Sequence, residues 1–270
     1  MTTPEPMPNA RELLAFYLEA GVDCALSETP VNRLVEEPAS EERPAAKPAL
    51  FRTANPPPVV PASAHSAPAA PDAAIMSARE IAPRAASLQE LRELLERFDG
   101  CALKSTATRL VFADGNPEAK IMFVGEAPGR DEDLEGLPFV GRSGKLLDLM
   151  MAAIGLDRTK VYIANIIPWR PPGNRDPSPQ ETQICLPFIR RQIALVDPDV
   201  LVCLGKPSSQ AVLDLKDGIM KTRGKWIDYD TGTRKIKAMA TFHPAYLLRQ
   251  PIYKRLTWQD LRAVQKALQG

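Results

Sequence analysis

Four short apolar runs separated by helix-like segments limit what this chain can fold into more than any other feature. They read KIMFVGE at residues 120–126, VYIANII at 161–167, DVLVCLG at 199–205 and KAMATFH at 237–243. Each is continuously apolar rather than alternating, so each predicts a strand covered on both faces. Between them lie SGKLLDLMMAAIG, SPQETQICLPFIRRQIALV and PSSQAVLDL, and YKRLTWQDLRAVQKAL follows the last, all with helical patterning. Buried strands joined by helices predict an α/β domain, three layers deep (α/β/α), around a central four-stranded parallel sheet. In such sheets ligands sit beyond the carboxyl ends of the strands.

Those ends hold the unusual residues. The first strand runs into GEAPGRDED with Glu126, the second ends on Asn165 ahead of PWRPPGNRDP, the third enters GKPSS with Lys206, and the fourth enters FHPAYLLR with His243. Taken singly, each has a plain reading: Asn165 completes a turn, Glu126 caps a helix, Phe139 packs in a core. Their convergence from four strand ends points instead to one site. The chain has 2 histidines, and His65 lies in a Pro/Ala-rich stretch, so an imidazole in this site must be His243. GLPFVGRS at 136–143 has the spacing of a phosphate-binding loop, with Arg142 in place of the lysine. No strand precedes it, Pro138 removes an amide, and the adjacent RDEDLE would repel a triphosphate, so nucleotide binding is excluded.

The remainder of the chain divides by composition. NARELLAFYLEA at 9–20 places Leu13, Leu14, Tyr17 and Leu18 at helical spacing, which predicts a short amphipathic helix within an N-terminal segment, 1–35. Residues 36–85 are dominated by Pro, Ala and Ser without periodicity and predict a disordered linker. The catalytic domain is then expected at 86–270, opening with a capped helix, SLQELRELLERF. Lys and Arg total 34 against 33 Asp and Glu, a net charge of +1, so attraction for nucleic acid must come from local clusters. No leader-like or membrane-spanning run is present, and the 4 scattered cysteines do not suggest a disulfide framework. These features give the expectation of a cytoplasmic protein that binds no membrane.

GEAPG followed by GLPFVG, an asparagine ending a strand before RPPGNR, and then HPAYLLR is a combination that resembles the uracil-DNA glycosylase superfamily, and within it the family 4 enzymes. The resemblance covers roughly residues 87–270 and implies strand order 2-1-3-4 for the four predicted strands. It also implies the activity: hydrolysis of the N-glycosidic bond of deoxyuridine in DNA by a monofunctional enzyme of base-excision repair. The chemistry suits these residue types. An asparagine amide accepts from uracil N3–H and donates to O4, which Asn165 can do. A preorganised donor at O2 stabilises the departing base, the role for His243. Phe139 stacks on the flipped base, and Glu126 holds the attacking water or stabilises the cationic sugar by its charge. The resemblance further places Ala127 at the uracil and gives Glu132 a part in excluding the thymine methyl.

For the DNA itself, Leu247 or Leu248 is the expected wedge, with Arg249 on a phosphate. Lys206 and Ser208 open a helix where a phosphate can sit, and Arg170 and Arg175 flank a stiff Pro–Pro segment. The expected partner is uracil-containing DNA, met by a monomer, with the N-terminal helix free to bind a further partner or to dock on the domain. A non-catalytic sensor of damaged DNA is the alternative, separable by an assay for uracil release. Another branch of the superfamily, which attaches to the abasic sugar, carries a histidine-containing insertion after the asparagine strand that is missing here.

The family 4 pattern implies four cysteines holding a [4Fe–4S] cluster. Here Cys101 and Cys185 match the second and fourth, whereas Phe98 and Trp169 stand at the first and third. Two thiolates do not supply the four ligands such a cluster needs, so the expectation is no metal and no cofactor, with Phe98 and Trp169 filling the volume.

Overall fold

The computed structural model describes residues 71–269, all within one unit, Ala62–Gly270. The amphipathic helix expected at 9–20, most of the expected linker, Cys24 and His65 lie outside the described residues. Six strands form one sheet: β1 (Asp114–Gly115), β2 (Ile121–Gly125), β3 (Tyr162–Asn165), β4 (Val200–Leu204), β5 (Trp226–Asp230) and β6 (Lys235–Thr241). Their order is β1-β3-β2-β4-β6-β5. The four expected strands are the parallel centre, β3-β2-β4-β6, in the order 2-1-3-4 that the resemblance implies. The sheet is nevertheless mixed, because β1 and β5 add antiparallel edges.

Successive side chains of the central strands point to opposite faces, and both faces are buried. Met122 and Val124 of β2 join one core, with Tyr162, Ala164, Leu201 and Cys203. Ile121 and Phe123 join the other, with Ile163, Val200, Val202 and Met239. This is why the runs read as unbroken apolar stretches. Burying a side chain such as Phe123, at 0% exposure, contributes about 1.5–3 kcal/mol.

Helices cover both faces. They are α1 (Pro71–Ile81), α2 (Leu88–Arg97), α3 (Leu103–Thr106), α4 (Arg130–Glu135), α5 (Arg142–Ala152), α6 (Pro179–Val196), α7 (Lys206–Leu213), α8 (Ile219–Thr222), α9 (Pro244–Arg249) and α10 (Lys254–Gln269). Helix α6 begins with a capping box: Ser178 accepts from the Glu181 amide, and Glu181 accepts from the Ser178 amide.

Helix α1 corrects the linker expected at 36–85. Its Ala74 and Ala78, continued by Ala82 and Ala85, are all almost fully buried and recur at helical spacing. These small side chains let α1 lie close against α6, and Arg191 of α6 donates to the Ala85 carbonyl at 2.9 and 2.6 Å. The composition that suggests disorder here supplies a small-residue packing stripe.

Beneath the end of β6, a buried polar group ties the sheet to α10. The Asp260 carboxylate accepts from Thr241 Oγ1 at 2.7 Å and from Arg223 Nε at 3.0 Å, and Arg223 also donates to the Leu256 carbonyl. Asp260→Ala should lower stability by about 3–5 kcal/mol, because it strands a mostly buried guanidinium and a buried hydroxyl. Urea unfolding followed by circular dichroism measures this, and a midpoint within error of the wild type would contradict it.

Candidate active site

Strand register builds the site. Gly125 pairs with Asn165 across β2 and β3, Val124 with Cys203 across β2 and β4, and Leu204 with Thr241 across β4 and β6. The carboxyl ends of all four central strands are therefore level, and the residues just beyond them share one cavity of about 730 Å³. Glu126, Ala127, Glu132, Phe139, Asn165, Arg175, Lys206, His243 and Arg249 line it, as do Asp176 and Tyr246.

Asn165 is almost fully buried at the end of β3, and its Oδ1 has no hydrogen-bond partner. A buried acceptor left without any donor costs about 1–3 kcal/mol, and at a cavity wall this oxygen is open to a donor from whatever fills the cavity, water or ligand. Gly125 makes room for it: a Cβ there would stand 2.3 Å from Asn165 Oδ1 and 2.6 Å from the Phe139 ring. Only glycine fits.

The Phe139 ring reaches the end of β2 at Gly125, and its centroid lies 5.5 Å from that of His243. Its backbone is left-handed, with φ of 56°, which is uncommon for an aromatic residue. Glu132 holds the loop from below, accepting from the Gly129, Val140 and Gly141 amides at 3.0, 3.1 and 3.0 Å. Glu132 thus borders the cavity, with its carboxylate engaged by the loop that carries Phe139.

His243 is the N-cap of α9, and its Nδ1 accepts from the Ala245 amide at 3.1 Å. That bond assigns the ring hydrogen of the neutral imidazole to Nε2. Burial, followed by the nearby charge of Arg249, lowers the His243 pKa to about 4, so the ring is a neutral donor at physiological pH. Gly205 packs against it, since a Cβ at that position would come within 3.0 Å of His243 Cβ. Glu126 moves in the other sense: burial, followed by repulsion from Asp176, raises its pKa to about 7. The site therefore pairs a neutral donor with a carboxyl group poised near neutrality.

Several expected DNA contacts are placed elsewhere. Leu247 is 1% exposed and belongs to the core against α5, so of the expected pair only Leu248, which is 38% exposed, faces outward. Ser208 is buried, and its Oγ donates to the Gly205 carbonyl at 3.2 Å, which removes it from any DNA surface. Arg170 donates to Asn174 Oδ1 at 2.7 Å and faces Asp133, bracing its own loop rather than lining the cavity. Arg175 borders the cavity while held in a two-pronged pair with Glu181 at 2.9 and 2.6 Å. Lys206, at the start of α7, and Arg249, at the end of α9, are exposed at the rim. Asp176 was not anticipated: its signal was only its place directly after RPPGNR.

Phe98, Cys101, Trp169 and Cys185 share the core on the α6 side of the sheet. The Phe98 ring lies over Gly100, where a Cβ would meet it at 2.4 Å, and packs edge-on against Phe188 at 5.0 Å. Contact with Cys101, together with burial, pushes the Cys185 thiol well above its ordinary value. Two thiols beside two packed aromatic rings offer two of the four thiolate ligands that a four-iron cluster takes.

The fold and the cavity together define an α/β domain whose strand ends open on a pocket lined by amide, aromatic, imidazole and carboxyl groups. Residues 112–262 match the sequence profile of the uracil DNA glycosylase superfamily, and the chain belongs to that family. Among its relatives, the type-4 uracil-DNA glycosylase of Archaeoglobus fulgidus is 46% identical over 168 residues, covering 61% of this chain and 84% of that protein. The protein of the same name from Thermotoga maritima is 41% identical over 163 residues, covering 60% and 83%. That from Sulfurisphaera tokodaii is 38% identical over 185 residues, covering 67% and 84%.

Proposed function

We propose that this chain is a uracil-DNA glycosylase that hydrolyses the bond between C1′ and N1 of deoxyuridine in DNA, releasing uracil and leaving an abasic site. The observation that carries the reading is the unpartnered, buried Oδ1 of Asn165 at the wall of the cavity. The relatives named above support it. Uracil N3–H supplies the missing donor, and the Asn165 amide donates in turn to O4. Cytosine, with a bare N3 and an amino group, offers the opposite pattern. Phe139 stacks on the base, and His243 Nε2–H donates to O2 as negative charge collects there. Glu126 directs a water to C1′ and takes up its proton, so that the departing base keeps the bonding electron pair. Lys206 and Arg249 at the rim take backbone phosphates, and Leu248 fills the space the base has left.

Incubating the protein with a uracil-containing oligonucleotide and then cleaving abasic sites with alkali tests the activity. Strand breaks at the uracil are expected, whereas binding without breaks would indicate a damage sensor. We further propose that the protein works without an iron–sulfur cluster, with Phe98 and Trp169 packing where ligands would stand. Colourless purified protein without bound iron is expected, and about four irons per chain with visible absorbance would overturn this.

The pH dependence follows from Glu126. Its ionised form is the working base, so the rate should rise as pH increases through about 7 and level off above it. His243 is already neutral there and adds no limb between pH 5 and 8. Asp176→Asn removes the repulsion that raises Glu126, so the limb should move to lower pH. A single-turnover pH profile measures both, and a limb that stays in place in the Glu126→Gln variant would contradict the assignment.

A further inference from the structure

Phe139 occupies a backbone conformation that its side chain disfavours, so something must hold it there. Glu132 accounts for the amides on one side of the residue. The carbonyls on the other side point to Arg158, which lies in DRTK between α5 and β3, outside every motif considered above. Its guanidinium donates to the Pro138 carbonyl at 3.2 Å and to the Phe139 carbonyl. Arg158 is itself fixed by two carboxylates. Its Nε donates to Asp148 of α5 at 2.8 Å, and its Nη1 pairs with Asp114 of β1 at 2.5 Å. Gly144 completes the arrangement, since a Cβ there would stand 1.7 Å from the Phe139 carbonyl oxygen.

We propose that Arg158 is a positioning residue for base excision: by holding the Pro138 and Phe139 carbonyls between two anchoring carboxylates, it fixes the Phe139 ring at the height and tilt needed to stack on uracil. The proposal rests on the stacking role given to Phe139 under the functional reading above. It also gives the two-residue strand β1 a purpose, because pairing with β3 delivers Asp114 to the guanidinium. Arginine suits the position because its planar fork meets several acceptors at once; a lysine carries one ammonium and cannot span them all.

A double-mutant cycle with the full chain tests this, reading single-turnover release from a uracil-containing oligonucleotide. Arg158→Gln should slow release by roughly 10- to 100-fold, the scale of a displacement of about 1 Å in a reacting geometry. Arg158→Lys should recover part of that loss. In a Phe139→Ala background, Arg158→Gln should change the rate by less than about twofold, because the ring through which it acts is gone. Asp148→Asn, at a half-exposed position, loosens the same guanidinium with the core intact. It should give a smaller loss that also disappears in the Phe139→Ala background, and it keeps the test open if Arg158→Gln does not fold. An equal fractional loss in both backgrounds would overturn the role of Arg158 and leave the glycosylase reading standing. No uracil release by the wild type would overturn that reading and this proposal with it.

Discussion

His243→Ala should slow uracil release under single-turnover conditions by about 10²–10³-fold, the usual effect of removing one preorganised donor from the site of developing charge. The loss should fall on the chemical step. Because the imidazole is neutral and its Nδ1 already accepts from the Ala245 amide, the ring has one donor to offer, Nε2–H. Uracil O2 is a weak acceptor before bond cleavage and a strong one once the base departs as an anion. Affinity for uncleaved DNA should therefore change by only a few-fold, whereas the rate falls by orders of magnitude. The limb near pH 7 should survive in this variant, since it belongs to Glu126. Disappearance of that limb, or a loss confined to affinity, would mean that the ring acts in binding or as the base.

The centre of the fold was legible in the sequence because burial on both faces leaves an unbroken apolar signal. Runs such as IMFVG and VLVCL have few other uses in a chain this rich in charged residues. The edges were not legible. Strand β5 is a five-residue alternation, with Ile227 and Tyr229 half-buried between exposed neighbours, that lacks the unbroken apolar signal of the centre, and β1 has only two residues. Helix α1 was hidden for a different reason. Its apolar stripe is made of alanines, which composition groups with prolines as low-complexity sequence, although they pack tightly against α6.

Glu126, Asn165, Lys206 and His243 were legible because they sit at strand ends, where topology leaves few alternatives, whereas Glu132 and Phe139 lie between β2 and α5 and were marked by the family resemblance. Side-chain direction on short helices was not. Leu247 and Leu248 are neighbours in sequence, yet one turns into the core and the other outward, which depends on how α9 is rotated against α5. Arg158 shows a further limit. Nothing about an arginine in a polar turn reveals that it holds the Phe139 backbone, because that role depends on carbonyls and carboxylates brought together only by folding.

Asn165→Asp should be the most damaging conservative change in the site, lowering kcat/KM for uracil by about 10³–10⁴-fold. The substitution keeps size and shape and replaces the amide donor with a second acceptor. One carboxylate oxygen can still accept from N3–H, but the other faces uracil O4, so two acceptors meet in a pocket with little water to separate them. The variant must also bury a negative charge near Glu126, at the ends of adjoining strands. Protonation offers an escape, since a neutral carboxyl group regains a donor for O4. The deficit relative to the wild type at the same pH should accordingly shrink as pH falls, although Glu126 still has to be ionised for turnover. Asn165→Ala separates the two effects: it removes donor and acceptor without adding charge, so its loss should be smaller near pH 8 and should not shrink relative to the wild type as pH falls. Equal losses for Asp and Ala across the pH range would show that Asn165 shapes the pocket without reading the base.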